Sequence, residues 1–210
     1  MKKELVNLLE FGLRELNLTV DAHQTKLLLE YLQILLKWNN AYNLTAVRDP
    51  KAMMTSHILD SLSIAPYIQG KSVLDVGTGA GLPGVPLAIC YPDHKFTLLD
   101  SNGKKIRFIF QVKTQLGLNN LTEIQSRAEK YQPKKLFDAV TSRAFASLSD
   151  MAKTTNHLLS EGGRFYAMKG ALPTQELSML PKHYKVVGSH ELFVPGIENV
   201  RHLIEIESSN

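Results

Sequence analysis

The stretch from Ser72 to Gly84, which reads SVLDVGTGAGLPG, constrains the fold of this chain more than any other. Its apolar, β-branched start predicts a buried parallel strand that ends at Val76. Three glycines at alternate positions follow, and the apolar pattern that resumes at Leu82 is typical of a helix. A strand, a glycine-rich turn and a helix start together predict a nucleotide site. Glycines let the backbone approach a ligand, and free N–H groups at a helix start favour anions.

The spacing of the glycines distinguishes between two kinds of cofactor. Gly77 and Gly79 fit the first two glycines of the dinucleotide fingerprint G-x-G-x-x-G, but Leu82 stands where the third is required. The sequence instead reads D-x-G-x-G-x-G from Asp75 to Gly81. This pattern resembles the first motif of class I S-adenosylmethionine methyltransferases, whose glycines surround the amino-acid end of the cofactor. The alternative is a tight strand–helix connection that binds no ligand.

Length and composition limit the class of protein. The 210 residues suffice for one α/β domain plus a modest extension, and 44% hydrophobic with 21% charged residues is ordinary for a soluble protein. A single cysteine, Cys90, excludes a disulfide framework, and the seven histidines lack metal-ligand spacing, so we expect no metal site. No apolar run approaches the roughly 20 residues of a membrane span. Polar residues interrupt the N-terminal segment where a signal core would lie, so we expect a cytoplasmic protein.

Positive charge is concentrated in one part of the chain. The net charge is +4, but residues 101–135 alone sum to +6, with eight basic side chains against two acidic ones. A local basic surface of this kind suits a polyanion such as RNA. We predict RNA contacts at Lys104, Lys105 and Arg107. The alternative is that these basic side chains simply face solvent on helix surfaces, and it applies mainly to residues 130, 134 and 135.

Residues 1–66 are predicted to form an N-terminal helical cap. Leucines recur every three or four residues in the first helix. Asp21 is a plausible N-cap for a long second helix that ends near Asn40. A third helix starts at Asp49-Pro50, because proline is favoured in a first turn. No linker separates this cap from residues 67–210, the predicted S-adenosylmethionine-binding methyltransferase domain. We therefore expect one compact unit.

Strands and helices alternate from Ser72 onward, which predicts an α/β fold with a mostly parallel sheet. The last two strands are separated by only five residues, so they should form a C-terminal antiparallel hairpin. The predicted strands are 72–77, 95–100, 121–126, 137–142, 163–169, 184–194 and 200–207. The predicted helices of this part are 82–90, 103–116, 128–131, 149–159 and 174–180.

Ligands in this architecture bind at the carboxyl ends of the strands. The second predicted strand ends at Asp100, whose carboxylate can accept hydrogen bonds from both ribose hydroxyls; capping of the next helix is the alternative. After the third strand, a backbone N–H near Ala128 and the carboxylate of Glu129 could meet an adenine edge, although a solvent-facing glutamate is nearly as plausible.

The end of the fourth predicted strand should face the reacting methyl group. Arg143 and Phe145 there would provide a cation and a stacking ring, and Lys169 ends the fifth strand at the same rim. The strand end has neither the (Asn/Asp)-Pro-Pro-aromatic motif of exocyclic-amine methyltransferases nor a Pro-Cys nucleophile, and no histidine stands there as a base. A target that loses no proton fits, and guanine N7 is one.

Several motifs together resemble the ribosomal small-subunit methyltransferase G family, also called glucose-inhibited division protein B. The motifs are Trp38-Asn39-x-Ala41-Tyr42-Asn43-Leu44-Thr45, Arg48-Asp49-Pro50, His57-Ile58-Leu59-Asp60-Ser61, Asp75 to Gly84, Leu98-Leu99-Asp100-Ser101, Lys104-Lys105-x-Arg107-Phe108, Ser142-Arg143-Ala144-Phe145-Ala146 and Lys169-Gly170. The resemblance covers nearly the full length. It implies a class I fold and methylation of guanine N7 at position 527, in the 530 loop of 16S rRNA, with S-adenosylmethionine as methyl donor. It also implies cofactor contacts at Gly77, Leu82, Ala128, Glu129 and Arg143.

Taken together, these observations predict a methyltransferase that acts on the small ribosomal subunit or an assembly intermediate, as a monomer. The predicted positioning residues are Arg143, Lys169 and Phe145, with no general base. The predicted cofactor-binding residues are Asp75, Gly77, Gly79, Gly81, Leu82, Asp100, Ala128, Glu129 and Arg143. A methyltransferase for another RNA or a small molecule, and an RNA-binding protein without catalysis, are alternatives.

Overall fold

A computed structural model describes residues 2–143, 145 and 147–208. Within these residues the strands form one seven-stranded sheet. The strands are β1 (Ser72–Val76), β2 (Lys95–Asp100), β3 (Leu121–Gln125), β4 (Phe137–Ser142), β5 (Leu159–Lys169), β6 (Tyr184–Leu192) and β7 (Arg201–Ser208).

The strand order is β3-β2-β1-β4-β5-β7-β6. The neighbours from β3 to β5 pair in parallel, and β7 is antiparallel to both β5 and β6. This arrangement confirms the predicted mostly parallel sheet with a C-terminal antiparallel hairpin. Because β1 lies between β2 and β4, the strand order reverses at β1, and the crevice beside the carboxyl ends of β1 and β4 is where such sheets bind ligands.

Helices cover both faces of the sheet, and most of the predicted ones are present. In chain order they are α1 (Lys2–Glu15), α2 (Ala22–Tyr42), α3 (Pro50–Met53), α4 (Asp60–Leu62), α5 (Gly84–Cys90), α6 (Gly103–Leu116), α7 (Leu148–Thr155) and α8 (Thr174–Ser178). Short 3₁₀ turns occupy Ala65–Tyr67, Ala128–Lys130 and Asn156–Leu158. Among the described residues, no helix has the length and apolar character that crossing a membrane requires.

The largest boundary error concerns β5, which begins at Leu159, where the prediction continued a helix. Gly162 adopts a φ of 72°, and the pairing of β4 with β5 shifts register between Phe137 and Ala139. The glycine pair at 162 and 163 therefore lies in an irregular part of a strand rather than in a turn before it.

The N-terminal helices form where the sequence predicts them. Asp21 caps α2, since its Oδ1 accepts a hydrogen bond from the Gln24 N–H at 2.7 Å, and the Gln24 side chain accepts the Asp21 N–H at 2.8 Å. The helix continues to Tyr42, beyond the predicted end near residue 40, and Asn43 ends it in the left-handed conformation with φ 50°.

The third predicted helix contains an unpredicted π-helical segment. Asp49 caps α3 as expected, with its Oδ2 2.8 Å from the Ala52 N–H. The chain then widens into a π-helix over Met54–Leu59 before α4. Segments of this kind often occur at functional sites. Here the segment carries His57 and leads directly to Asp60.

Two hydrophobic cores lie on opposite faces of the sheet. Val73 of β1 contributes to the core that contains the N-terminal helices, α5 and α6, and the next residue, Leu74, contributes to the core under α7. The first core joins Leu28 of α2 to Val85 of α5, so it crosses the predicted boundary between residues 66 and 67. Packing thus connects the helical cap directly to the sheet.

Candidate functional site

Two cavities adjoin at the carboxyl ends of the central strands, and Gly77 lines both. The first, of about 420 Å³, is lined by the helical cap, the ends of β4 and β5, the start of β7 and the glycine loop after β1. The second, of about 210 Å³, lies between the ends of β2, β3 and β4. Together they have the size and placement of a small-molecule site in a doubly wound fold.

The glycine loop forms the wall between the cavities. Gly77 and Gly79 have positive φ values of 67° and 62°, which favour glycine, and both residues line the first cavity. A Cβ built on Gly79 would meet only the Gly77 carbonyl oxygen, at 3.9 Å, so the loop leaves open space on that side. Gly81 lies outside both linings; its Cβ would come within 2.5 Å of Val85, so this glycine permits loop–helix packing instead of lining a cavity. Leu82 lines the first cavity.

Asp75 does not line either cavity, contrary to the predicted cofactor contact. Its side chain is fully buried, and Oδ2 accepts hydrogen bonds from the Thr78 hydroxyl at 2.6 Å and from the Gly84 N–H at 2.9 Å. Burial raises the pKa of this carboxyl to about 6, although the two hydrogen bonds oppose the shift. Asp75 therefore stabilises the glycine loop through these two hydrogen bonds, from the side that faces away from the cavities.

The N–H groups at the start of α5 are not free to bind an anion, as the sequence predicted they would be. Its first N–H group, on Gly84, donates to Asp75, and the N–H of Val85 donates to the Gly81 carbonyl at 2.7 Å. The anion-binding helix start predicted from the sequence is thus satisfied within the protein. The open glycine backbone is the feature that remains for a ligand.

Asp100 holds the loop while it faces the second cavity. Its Oδ2 accepts the Gly79 N–H at 3.0 Å, and its Oδ1 accepts the Asn102 N–H at 2.8 Å. Lys105 lies 3.5 Å from the same carboxylate, so this predicted RNA-contacting cation is half-buried beside the cavity. A carboxylate in this position retains lone pairs that can accept ligand hydroxyls.

Residues after β3 complete the second cavity. Ala128 and Glu129, both predicted from the sequence, line it together with Asp100. Phe145 lines this cavity too, whereas Arg143 lines the first one, so the cation and the ring predicted to share a reaction centre are separated. Arg143 lies in a bend after β4, and the alternation of an extended strand does not continue through that bend.

Arg143 is held by a carboxylate of the helical cap. Its Nη1 lies 2.9 Å from Asp60 Oδ2 and 3.4 Å from the Ser56 carbonyl oxygen. Asp60 Oδ1 is 3.3 Å from Nε of Arg201 at the start of β7. The Asp60 side chain is only 7% exposed, so this one buried group joins the cap to the bend after β4 and to the start of β7 at the wall of the first cavity.

His57 lines the first cavity with both ring nitrogens engaged. Nδ1 lies 2.9 Å from the Ser56 carbonyl oxygen, and Nε2 lies 2.8 Å from the Thr45 hydroxyl. Because a carbonyl only accepts, this network assigns the proton to Nδ1 and leaves Nε2 to accept from Thr45. Burial is the main reason that the pKa of His57 is lowered, so the ring is neutral near pH 7.

Lys169 lines the first cavity but is already paired. Its Nζ lies 2.8 Å and 3.1 Å from the two carboxylate oxygens of Glu176 and 3.4 Å from the Phe145 carbonyl oxygen. Glu176 also accepts the Leu148 N–H at 2.7 Å. Lys169 thus links β5 to α7, α8 and the segment after β4.

The other predicted RNA contacts lie on the outer surface. Lys104 and Arg107 are exposed on α6, which begins three residues after Asp100. They share one helix face with Gln111, at i, i+3 and i+7. Neither residue lines the two cavities.

Sequence reasoning missed three residues that organise the site. It assigned no role to Tyr31, whose buried hydroxyl donates to the Ala80 carbonyl of the glycine loop at 2.6 Å. It quoted Asp60 within a motif without assigning it a role, and it gave Arg201 none. All three interactions join segments far apart in the chain. Within the described residues, no group of three or more His, Cys, Asp or Glu side chains could hold a metal ion.

Three similarities relate this architecture to known proteins. The family model described as rRNA small subunit methyltransferase G matches residues 24–204. The Ribosomal RNA small subunit methyltransferase G of Saccharophagus degradans is 55% identical over 191 residues, which are 91% of this chain and 86% of that protein. The protein of the same name from Salmonella paratyphi B is 51% identical over 205 residues, 98% of this chain and 99% of that protein.

A solved structure supports the fold assignment at much lower identity. The glycopeptide N-methyltransferase MtfA, crystallised with S-adenosyl-L-methionine, superposes with a TM-score of 0.59 over 73% of this chain and 88% of that chain. The two sequences are 12% identical, so this likeness concerns the fold alone.

Proposed function

The chain belongs to the rRNA small subunit methyltransferase G family, and we propose that it transfers a methyl group from S-adenosyl-L-methionine to guanine N7 of 16S rRNA. The proposed target is the guanine at position 527 in the 530 loop, which the family resemblance implies. The observation that carries the proposal is the pair of cavities that adjoin at Gly77. Two adjoining cavities of this kind can hold the amino-acid end and the adenosine end of the cofactor separately.

The second cavity suits the adenosine part of the cofactor. Asp100 would accept hydrogen bonds from the ribose hydroxyls, and Glu129 with the backbone of Ala128 would meet the adenine edge. Phe145 lies on the same lining, so we propose that its ring packs against the adenine instead of the target base.

The first cavity suits the amino-acid end and the incoming nucleotide. Gly77 and Gly79 line this cavity, the space beside Gly79 is open, and Leu82 adds an apolar contact. Arg143 keeps N–H donors beyond the one given to Asp60, and a guanidinium can donate them to a carboxylate. Since Glu176 neutralises Lys169, we propose that Lys169 mainly fixes the rim of the cavity.

The proposed chemistry requires no general base. When bound, the cofactor supplies a methyl group attached to a positively charged sulfur. Guanine N7 carries an in-plane lone pair and loses no proton on methylation, so the site has only to align the two. A neutral His57 with both nitrogens engaged fits this requirement. Positioning would then provide most of the rate, and Arg143 would contribute to it from the cavity wall.

Charge reversal on α6 should weaken RNA binding. In a Lys104→Glu/Arg107→Glu variant we expect RNA affinity to fall about tenfold or more and the slope of log affinity against log salt to become shallower by about two, because each lost phosphate contact changes the slope by about one. Affinity for S-adenosyl-L-methionine should stay nearly unchanged, since neither residue lines the cavities. Filter binding over a range of salt concentrations measures the RNA affinity and its dependence on salt.

Lys134 and Lys135 provide a control with the same change in charge. Both are exposed and precede β4, so they lie toward the opposite edge of the sheet from the cavities. A Lys134→Glu/Lys135→Glu variant should bind RNA more tightly than the α6 variant at every salt concentration. Equal losses in the two variants would mean that α6 has no special role.

Mapping the transferred methyl group tests the function itself. Small subunits, assembly intermediates and naked 16S rRNA from a strain that lacks the enzyme would be incubated with labelled cofactor. We expect label at position 527, where borohydride and aniline cleave the RNA as they do at N7-methylguanosine. Label at another nucleotide, or only on small acceptors, would contradict the proposal. The amount of label in each of the three substrates also identifies which of them the enzyme methylates. We further propose that the enzyme acts in the cytoplasm as a monomer.

A further inference from the structure

A third cavity, of about 480 Å³, forms a groove between α2 and α6, outside the proposed catalytic site. Its walls come from one face of α2 and from the C-terminal half of α6. None of the described residues that line it is acidic; they are Gln33, Ile34, Lys37, Trp38, Ala41, Tyr42, Gln111 and Gln115.

An ordered aromatic platform forms one end of this groove. The rings of Trp38 and Tyr42 are stacked, with centroids 5.1 Å apart and planes at 30°. Trp38 is also fixed from beneath by an edge contact with the buried Phe108, at 5.6 Å. Tyr42 nevertheless remains 51% exposed. A rigid, half-exposed ring is suited to stacking because little side-chain entropy remains to be lost on binding.

The charge around the platform suits a polyanion. Lys37 contributes a cation to the groove itself, and its amide side chains provide neutral hydrogen-bonding groups. On α6, Lys104 and Arg107 lie on the same face as Gln111, so the groove continues into the proposed RNA surface. Aromatic rings next to a basic track are the combination with which proteins bind unpaired nucleotides.

The groove is close to the proposed catalytic cavity. Leu44 and Thr45, which line that cavity, follow Tyr42 in the chain by two and three residues. The Cα atoms of Tyr42 and Thr45 are therefore at most about 11 Å apart. Single-stranded binding surfaces extend over about 4 nucleotides or more, so one strand can reach both places.

We propose that this groove, with Tyr42 stacked on Trp38, binds an unpaired base of the RNA substrate near the target nucleotide. The inference rests on the proposed function and deepens it by adding a second contact point for the RNA. It also explains the aromatic residues of the Trp38–Thr45 motif, which the catalytic site leaves without a role.

Trp38 is the only tryptophan of the chain, so its fluorescence reports directly on the groove. Naked 16S rRNA, which contains no tryptophan, would be titrated at low salt into the full-length protein. We expect Trp38 emission to fall as the RNA saturates. Tyr42→Ala should weaken RNA binding by about tenfold, the effect of losing one stacked base, while Tyr42→Phe keeps the ring and should stay within about twofold of the wild type.

Phe11→Ala serves as the matched control, because Phe11 is 47% exposed on α1 and contributes to no cavity described above. It should bind RNA like the wild type, and all three variants should keep wild-type affinity for S-adenosyl-L-methionine and wild-type melting temperature. Unchanged Trp38 emission in the presence of the RNA, or equal RNA affinity for Tyr42→Ala and the wild type, would overturn the inference. So would a Tyr42→Ala defect confined to methylation of whole subunits, which would identify a protein-docking groove.

The two proposals fail in different ways. If the wild type methylates 16S rRNA and its Trp38 emission does not respond to RNA, only the stacking groove is wrong. If the wild type transfers no methyl group to rRNA or subunits, the proposed function is wrong whatever the fluorescence shows.

Discussion

A Gly77→Val variant should lose about 100-fold or more in affinity for S-adenosyl-L-methionine, equivalent to about 2.7 kcal/mol, while it still folds. Gly77 lines both cavities, so a branched side chain there would occupy space that the proposed cofactor needs. Its φ of 67° adds strain, because a side chain in the left-handed region costs about 1–2 kcal/mol. Calorimetric titration of the folded variant measures the loss.

Gly117 allows strain to be separated from cavity filling. This glycine ends α6 with a φ of 66°, and a Cβ built on it meets nothing within 4 Å. Gly117→Val should therefore lower the melting temperature about as much as the strain in Gly77→Val does, and it should leave the affinity for S-adenosyl-L-methionine unchanged. If Gly77→Val bound the cofactor with the affinity of Gly117→Val, the assignment of the glycine loop would be wrong.

The sheet was predictable because its determinants are local. The apolar run from Ser72 to Val76 and the alternation of strands with helices depend on neighbouring residues, and the observed β1, β2 and β4 agree with the predicted ranges to within a residue. Once the order and direction of the parallel strands are predicted, their carboxyl ends must lie at one edge of the sheet. Asp100, Ala128 and Glu129 could therefore be placed together without coordinates.

The parts that could not be predicted depend on contacts between distant segments. Asp60 and Arg143 are 83 residues apart, and Tyr31 and Ala80 are 49 residues apart. No periodicity or motif spacing indicates which buried polar side chains face each other across a core. The buried hydrogen bonds of Asp75 and the place of Phe145 in the second cavity were not predictable for a related reason, since both depend on how the loop after β1 and the bend after β4 fold back.

Loss of the Asp60 carboxylate should lower methyl transfer about 100-fold, because this group orients Arg143 at the cavity wall and misplacement by about 1 Å can cost that much. Asp60→Ala would leave the guanidinium groups of Arg143 and Arg201 without their shared partner. We expect a destabilisation of about 1–3 kcal/mol, below the cost of fully buried pairs because both arginines remain partly exposed. Asp60→Asn keeps the shape and should show an intermediate rate.

Glu205 provides a matched control on the same sheet. Its side chain is 8% exposed, against 7% for Asp60, and it also joins two partners, Arg164 at 3.2 Å and His190 at 2.8 Å. It does not line the first cavity. Glu205→Ala should therefore reduce stability to a similar degree and keep the single-turnover rate near that of the wild type at a temperature where both variants are folded. Equal rates for Asp60→Ala and Glu205→Ala would show that Asp60 only stabilises the fold, since Asp60 contacts Arg143 at the cavity wall and Glu205 does not.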